Sequence, residues 1–266
     1  MNDPLDLEDF YDLRLVSTPA VSPTGERVAF VADEFDAGAD ERRRSLFVVP
    51  ADGSREPRRL TRVADASDPT WSPDGSKLGF RAARETDAEI AVSRGADAAD
   101  DSEDDDAADD PETQVWAFDL ERGGDARQLT DFEEGASGFD WGPDGSRIVV
   151  AARDPTDDQR EYLRARREDA APVETERLQH KYDGEGWLDD VTSYLFVVDV
   201  ASRETTRLDN AYGAGAREPA TGLAPAWSPD GERIAFLSTR DERPDDATYS
   251  DVYTIRPDGT GLEQLT

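Results

Sequence analysis

The chain has no cysteine, a single histidine (His180) and only two lysines, Lys77 and Lys181, among its 30 basic residues. The absence of cysteine excludes disulfide scaffolds, thiol nucleophiles and thiolate zinc sites, and one histidine excludes any site that needs two in one chain. No apolar run approaches the roughly 18 residues of a membrane-spanning helix. The acidic start, Met1–Leu13, resembles no export signal, so we expect a cytoplasmic location.

Acidic residues outnumber basic residues in the sequence by about two to one. The 266 residues include 62 Asp and Glu, and the formal net charge is −32. Such a surface opposes binding to nucleic acid or to anionic membranes. The segment 97–112 holds ten of the acidic residues and no basic one, and we expect an acidic disordered loop over 95–112. With five Trp, seven Tyr and ten Phe, the remainder is typical of a folded protein adapted to high salt, where self-repulsion between carboxylates is screened.

A repeat organises the chain. Its core is a Trp-(Ser/Gly)-Pro-Asp-Gly motif followed by an apolar alternating stretch, and a degenerate first copy starts at Val21. Each copy is followed by a second alternating segment and a short ending such as Arg59-Leu60-Thr61. Pro, Asp and Gly suit successive positions of a tight turn, so each copy predicts four antiparallel strands, a to d, and thus one blade of a β-propeller. The predicted blades are approximately 17–61, 66–130, 136–209 and 224–266.

The repeated residues themselves have a structural interpretation. We expect the tryptophans to pack between neighbouring blades, and the aspartates and glycines to form the a–b turns rather than to bind ligands. These structural residues are Trp71, Asp74, Gly75, Trp141, Asp144, Gly145, Trp227, Asp230 and Gly231. A β-sandwich with coincident turns is the weaker alternative.

The repeat spacing is uneven because of insertions. Successive turn prolines lie 50, 70 and 86 residues apart, and the excess is expected in loops between strands b and c. These predicted loops are Val31–Ser45, Arg81–Gln114, Ala151–Tyr194 and Leu237–Asp251. Because equivalent loops of a propeller emerge on one face, that face is the expected interaction face.

The third insertion, 154–190, contains the one basic island of the chain and a helix predicted over Gln159–Glu168. It is either a solvated helix with local ion pairs such as Arg164–Glu168, or a docking or substrate-carboxylate site. The residues that would make such contacts are Arg160, Arg164, Arg167, His180 and Lys181.

The sequence offers no catalytic constellation. Gly135-Ala136-Ser137-Gly138 has the wrong spacing for a nucleophile elbow and lies between predicted strands. Asp104-Asp105-Asp106 lacks the glycine and glutamate of a calcium loop. We therefore expect no catalytic residue, no metal and no cofactor.

These blade motifs resemble the propeller of prolyl oligopeptidase-family serine peptidases, and also TolB-type propellers. The start from Leu5 to Pro23, and His180–Trp187 followed by Tyr194–Asp199, are similar to the acylaminoacyl-peptidase and dipeptidyl-peptidase-like branch. The resemblance implies an N-terminal propeller of seven or eight blades that caps an α/β-hydrolase domain and admits only short peptides. No catalytic residue of the family has a matching position here, and we expect a chain truncated before the hydrolase domain.

The resemblance leads to a functional hypothesis, the gating and non-catalytic propeller of a serine exopeptidase or oligopeptidase acting on short peptides. Its expected partners are peptide substrates and a C-terminal or adjacent α/β-hydrolase domain, and oligomerisation stays open. The alternative is a stand-alone TolB-like propeller that scaffolds a protein partner. A polysaccharide-binding or lyase-type propeller is a third and weaker alternative.

Overall fold

A computed structural model describes residues 6, 8–63, 66–87, 90, 111–169, 171–175, 180–183 and 186–266. The described residues form four four-stranded antiparallel sheets, and we refer to each sheet as a blade. The predicted acidic loop at 95–112 lies almost entirely outside the described residues, of which only 111 and 112 belong to it.

The first compact unit, residues 1–131, contains blades 1 and 2, preceded by a 3₁₀ helix at Glu8–Asp12. In each blade the four strands lie side by side in chain order, and each is antiparallel to the next. The strands are β1 Arg14–Val21, β2 Arg27–Asp36, β3 Glu41–Pro50 and β4 Arg58–Val63, then β5 Ser67–Trp71, β6 Lys77–Ala83, β7 Thr113–Asp119 and β8 Arg127–Gln128.

The second unit, residues 132–266, contains blades 3 and 4 and the insertion between their strands. The strands of blade 3 are β9 Ala136–Trp141, β10 Arg147–Arg153, β13 Ser193–Asp199 and β14 Thr205–Tyr212. The insertion contributes helix α1 Asp157–Glu168 and a small ladder of β11 Lys181–Tyr182 with β12 Gly186–Trp187. A short helix, α2 Glu218–Thr221, then precedes blade 4, whose strands are β15 Ala226–Trp227, β16 Ile234–Ser238, β17 Asp251–Ile255 and β18 Glu263–Gln264, with a 3₁₀ turn at Pro244–Asp246.

The predicted first b–c loop, Val31–Ser45, is wrong. β2 and β3 continue through most of it in register, and only residues 37–40 connect them. Paired charges extend the hairpin, since Asp33 lies opposite Arg44 with 3.2 Å between Oδ1 and Nε. Opposite charges on facing positions stabilise a strand pair, whereas a sequence reading of charged residues favours a loop.

The Pro-Asp-Gly turns, and the Pro23-Thr24-Gly25 turn of the degenerate first copy, have the expected geometry. The turn glycines Gly25, Gly75, Gly145 and Gly231 all have φ between 68° and 73°, and in each turn the glycine N–H donates to the carbonyl three residues earlier. The Ser72 hydroxyl donates to Asp74 at 2.6 Å and the Ser76 N–H donates to it at 2.9 Å. These two hydrogen bonds lower the pKa of the Asp74 carboxyl to about 2. The aspartate therefore closes its turn as an ionised acceptor.

Consecutive blades of the first unit are joined by an arginine and a tryptophan. The guanidinium of Arg27, at the start of β2, lies 4.7 Å from the ring centre of Trp71 in blade 2 and donates to the Gly75 carbonyl at 2.7 Å. The Trp71 indole N–H donates to the Ala20 carbonyl of blade 1 at 3.0 Å. Cation–π stacking and a satisfied indole N–H thus hold the two blades in register.

Blades 3 and 4 repeat the cation–π stacking of this contact in the second unit, whereas the buried Trp227 indole N–H has no hydrogen-bond partner among the described residues. Arg147, which occupies the position of Arg27 in the repeat, lies 5.2 Å from the ring centre of Trp227. The Trp227 backbone N–H also donates to the Asp140 carboxylate of blade 3 at 2.8 Å. Burial raises the pKa of Asp140 although it accepts this bond and one from the Trp141 N–H. Trp71 and Trp141 are buried, while Trp227 is half-buried.

Apolar residues of strands b, c and d complete the contacts between blades. In the first unit the buried cluster joins Val31 and Leu46 of blade 1 to Phe80 and Trp116 of blade 2. In the second unit Leu195 and Leu208 of blade 3 pack with side chains of blade 4 that include Phe236. Each core therefore lies between two blades, as the alternating pattern predicts.

The turn glycines test how closely consecutive turns pack. A Cβ added to Gly231 would lie 3.0 Å from Pro143 Cγ, whereas one added to Gly25 would have no atom within 4 Å; both glycines have φ of 73°. We expect Gly25→Ala to cost about 1–2 kcal/mol from backbone strain alone. Gly231→Ala should cost roughly 1–3 kcal/mol more, from overpacking. Urea unfolding of the two variants measures the difference, and equal losses would contradict close packing of the turns.

Candidate functional site

The insertion after β10 begins with a well-capped helix. Thr156 is the N-cap of α1; its Oγ1 accepts the Gln159 N–H, and the Gln159 side chain accepts the Thr156 N–H. Asp157 and Asp158 lie in the first turn, and Arg166 and Arg167 lie in the last. This order of charges stabilises the helix through its dipole and explains why so polar a segment is helical.

Helix α1 is attached to blade 3 mainly by ion pairs, because its one buried side chain is Leu163. Its partners are two adjacent glutamates just before β9. Arg160 Nε donates to Glu133 Oε2 at 2.6 Å, and Arg167 Nη2 donates to Glu134 at 2.9 Å. The Glu134 side chain is only 3% exposed and also accepts Arg153 Nη1 of β10 at 3.3 Å. Glu134 thus links the helix to the sheet.

The five residues predicted from the sequence to take part in docking lie in three different environments. Arg160 and Arg167 belong to the attachment of α1, as described above. Arg164 is exposed and forms no ion pair with any described carboxylate, so the Arg164–Glu168 pair is not formed. His180 and Lys181 lie at the small ladder, where the imidazole stacks at 5.8 Å on Trp187 and the Lys181 ammonium lies 5.3 Å from the same ring. The role of these five residues in binding stays a prediction.

Two cavities flank Trp187, which is 52% exposed. Each encloses about 240 Å³, and they share Arg153, Trp187, Leu188 and Asp189. The first, which we call the helix cavity, is also lined by Tyr162, Leu163, Arg166, Arg167 and Val173. The second continues past Ser137 and Ser193 towards α2, where it includes Glu218. Together the two cavities form the candidate site.

Sequence reasoning missed Arg166 and treated Trp187 only as part of a family resemblance. The composition does not distinguish Arg164, Arg166 and Arg167, and it is the rotation of α1 that places Arg166 and Arg167, but not Arg164, at the helix cavity. The helical spacing offered one signal, since Arg166 falls three residues after Leu163, which marks the packed face.

The serine of the Gly135–Gly138 segment is part of a strand. Ser137 lies within β9, and its hydroxyl donates to the Ala151 carbonyl at 3.1 Å. No group of three or more His, Asp or Glu side chains among the described residues could hold a metal ion. Within the same residues no helix is long and apolar enough to cross a membrane.

Several known proteins are similar to this chain. No family model matches the chain. The uncharacterized peptidase YuxL of Bacillus subtilis (strain 168) is 28% identical over 251 residues, which are 93% of this chain and 33% of that protein. The chain therefore spans about a third of the length of this curated relative.

Solved structures of peptidases also superpose on this chain. An acylaminoacyl peptidase from Pyrococcus horikoshii superposes with a TM-score of 0.63 and 19% identity, over 97% of this chain and 33% of that one. The β-propeller domain of the Trilobed protease from Pyrococcus furiosus gives a TM-score of 0.54 and 16% identity, over 97% of this chain and 58% of that one. The β-propeller fold and the resemblance to peptidase propellers are thus confirmed, while a ring of seven or eight blades stays a prediction.

Glu134 provides a test of how the insertion is attached. Glu134→Gln should release α1, because it removes the buried carboxylate that accepts both Arg153 and Arg167; hydrogen bonds to charged groups contribute about 1.5–3 kcal/mol. Amide hydrogen exchange of residues 157–168 should accelerate by tenfold or more, at a conversion of about 1.4 kcal/mol per tenfold.

The matched control is Glu133→Gln, because the Glu133 side chain is 54% exposed and accepts only Arg160 among the described ion pairs. Exposed pairs contribute about 1 kcal/mol or less, so exchange should change by less than about fivefold. Equal acceleration in the two variants would refute the special role of Glu134.

Proposed function

We propose that this chain is the propeller portion of a serine peptidase acting on short peptides, of the acylaminoacyl- or dipeptidyl-peptidase type. One observation carries the proposal. Nearly the whole length of this chain matches about a third of an acylaminoacyl peptidase and about a third of YuxL. In this proposal the reactive serine lies in an α/β-hydrolase domain, either further along the same polypeptide or adjacent to it.

The proposed role of the propeller is to restrict access rather than to catalyse. Three features of the described residues support a non-catalytic role. The Ser137 hydroxyl is engaged with a backbone carbonyl, the exposed His180 ring stacks on Trp187, and Asp140 is held by two backbone N–H groups. No Ser-His-Asp arrangement is formed by these groups.

The test uses a fluorophosphonate probe, which labels activated serines. It should label the polypeptide that the natural gene encodes, or its complex with an adjacent hydrolase subunit, and should leave these 266 residues unlabelled when they are prepared alone. The labelled protein should cleave acetylated peptides of a few residues, and its rate should fall steeply as the peptides lengthen.

Two results would overturn the proposal. Labelling of the isolated chain would contradict its non-catalytic role. A natural polypeptide that neither reacts with the probe nor associates with a reactive subunit would instead favour the TolB-like scaffold. A different result, cleavage of long and short peptides at equal rates, would contradict only the restricted access and would leave the peptidase assignment in place.

A further inference from the structure

Arg166 is an arginine without a carboxylate partner in a strongly acidic protein. It is half-buried, lines the helix cavity, and donates through Nη1 to the Ala171 carbonyl at 3.2 Å. No described carboxylate lies within ion-pairing distance of it, although acidic residues outnumber basic ones by 62 to 30 in the chain. A guanidinium held at a cavity wall with unused donors can bind an anion.

The other arginines of the helix cavity are already neutralised. Arg167 is paired with Glu134, and Arg153 is paired with both Glu134 and Asp189. Among the described residues, Asp189 is the carboxylate that lines the cavity, while Glu134 pairs with two of the lining arginines without lining it. Within the described part of the chain, Arg166 is thus the arginine of the cavity lining that no carboxylate neutralises. Its guanidinium favours an anionic group at this place, although the net charge of the chain is −32.

The rest of the helix cavity is apolar and aromatic. Tyr162, Leu163 and Val173 come from the helix side, while Trp187 and Leu188 come from the ladder side. The exposed indole of Trp187 is kept in place by His180 and Lys181. An exposed tryptophan beside a free guanidinium suits a ligand that has an apolar side chain next to a carboxylate.

The size of the site limits the ligand. A cavity of about 240 Å³ equals the liquid volume of roughly eight water molecules. That space accommodates one or two residues of an extended peptide and excludes a folded domain. The second cavity, which shares Trp187 and Asp189 with the first, offers a path for the preceding residues.

We propose that the helix cavity binds the C-terminal residue of a short peptide, with Arg166 pairing with its α-carboxylate and Trp187 covering its side chain. That this peptide is a substrate or product rests on the proposed function. An acidic side chain within a longer peptide is disfavoured, because it would bring no apolar group to Trp187.

The test is equilibrium binding to the complete 266-residue chain, measured by isothermal titration calorimetry with acetyl-Ala-Ala-Phe and with its C-terminal amide. The free acid should bind at least about tenfold more tightly than the amide, as expected for a charge-assisted hydrogen bond. Arg166→Gln should abolish this preference. Arg164→Gln is the matched control, since Arg164 is also unpaired among the described residues but does not line either cavity.

Several outcomes would overturn the inference. The first is equal binding of acid and amide, and the second is no binding of either. The third is an equal loss of the preference for the free acid in the Arg164 and Arg166 variants when circular dichroism shows both folded. Equal affinity for acetyl-Ala-Glu-Ala-amide would assign the site to acidic side chains instead. Since no hydrolysis is measured, a negative result here leaves the labelling test of the peptidase proposal unaffected, and the reverse also holds.

Discussion

The packing of one blade against the next is the constraint on which the rest of the structure depends. A single four-stranded sheet cannot bury both of its apolar faces, so the cores of this chain lie between blades rather than within them. The repeated arginine at the start of strand b lies over the tryptophan of the following blade, once in each unit. Consecutive turns also pack closely, since a Cβ added to Gly231 would lie 3.0 Å from Pro143 Cγ and one added to Gly75 would lie 3.5 Å from Pro23 Cδ. The motif is therefore repeated for packing rather than for ligand binding.

Electrostatics acts locally against this background of excess acid. Many arginines of the blades and the insertion pair with one of the numerous carboxylates, and the attachment of α1 depends on such pairs. Adaptation to high salt would follow from the unpaired excess, and it stays a prediction from composition. Arg166 is the exception at the candidate site, and this exception is more informative than the net charge of the chain. The proposed carboxylate site depends on this guanidinium, which no described carboxylate neutralises.

Much of the fold was predictable because the turn motif and strand alternation are local signals. The four sheets and the positive φ of Gly75, Gly145 and Gly231 follow from them. The first hairpin was mistaken for a loop, since Asp33 and Arg44 are stabilised by each other across two strands and not by their own neighbours.

The candidate site was predictable only to its segment, residues 154–190. Composition identified a basic island, but three-dimensional neighbours decide which arginine is neutralised. Arg160 and Arg167 meet Glu133 and Glu134, which lie more than 25 residues earlier, while Arg166 does not. The central claim, that an arginine of one blade and a tryptophan of the next stabilise each other, is tested most directly by a double-mutant cycle of Arg27→Met and Trp71→Leu. Urea unfolding should give a coupling energy of about 0.5–2 kcal/mol, and strictly additive effects of the two substitutions would contradict it.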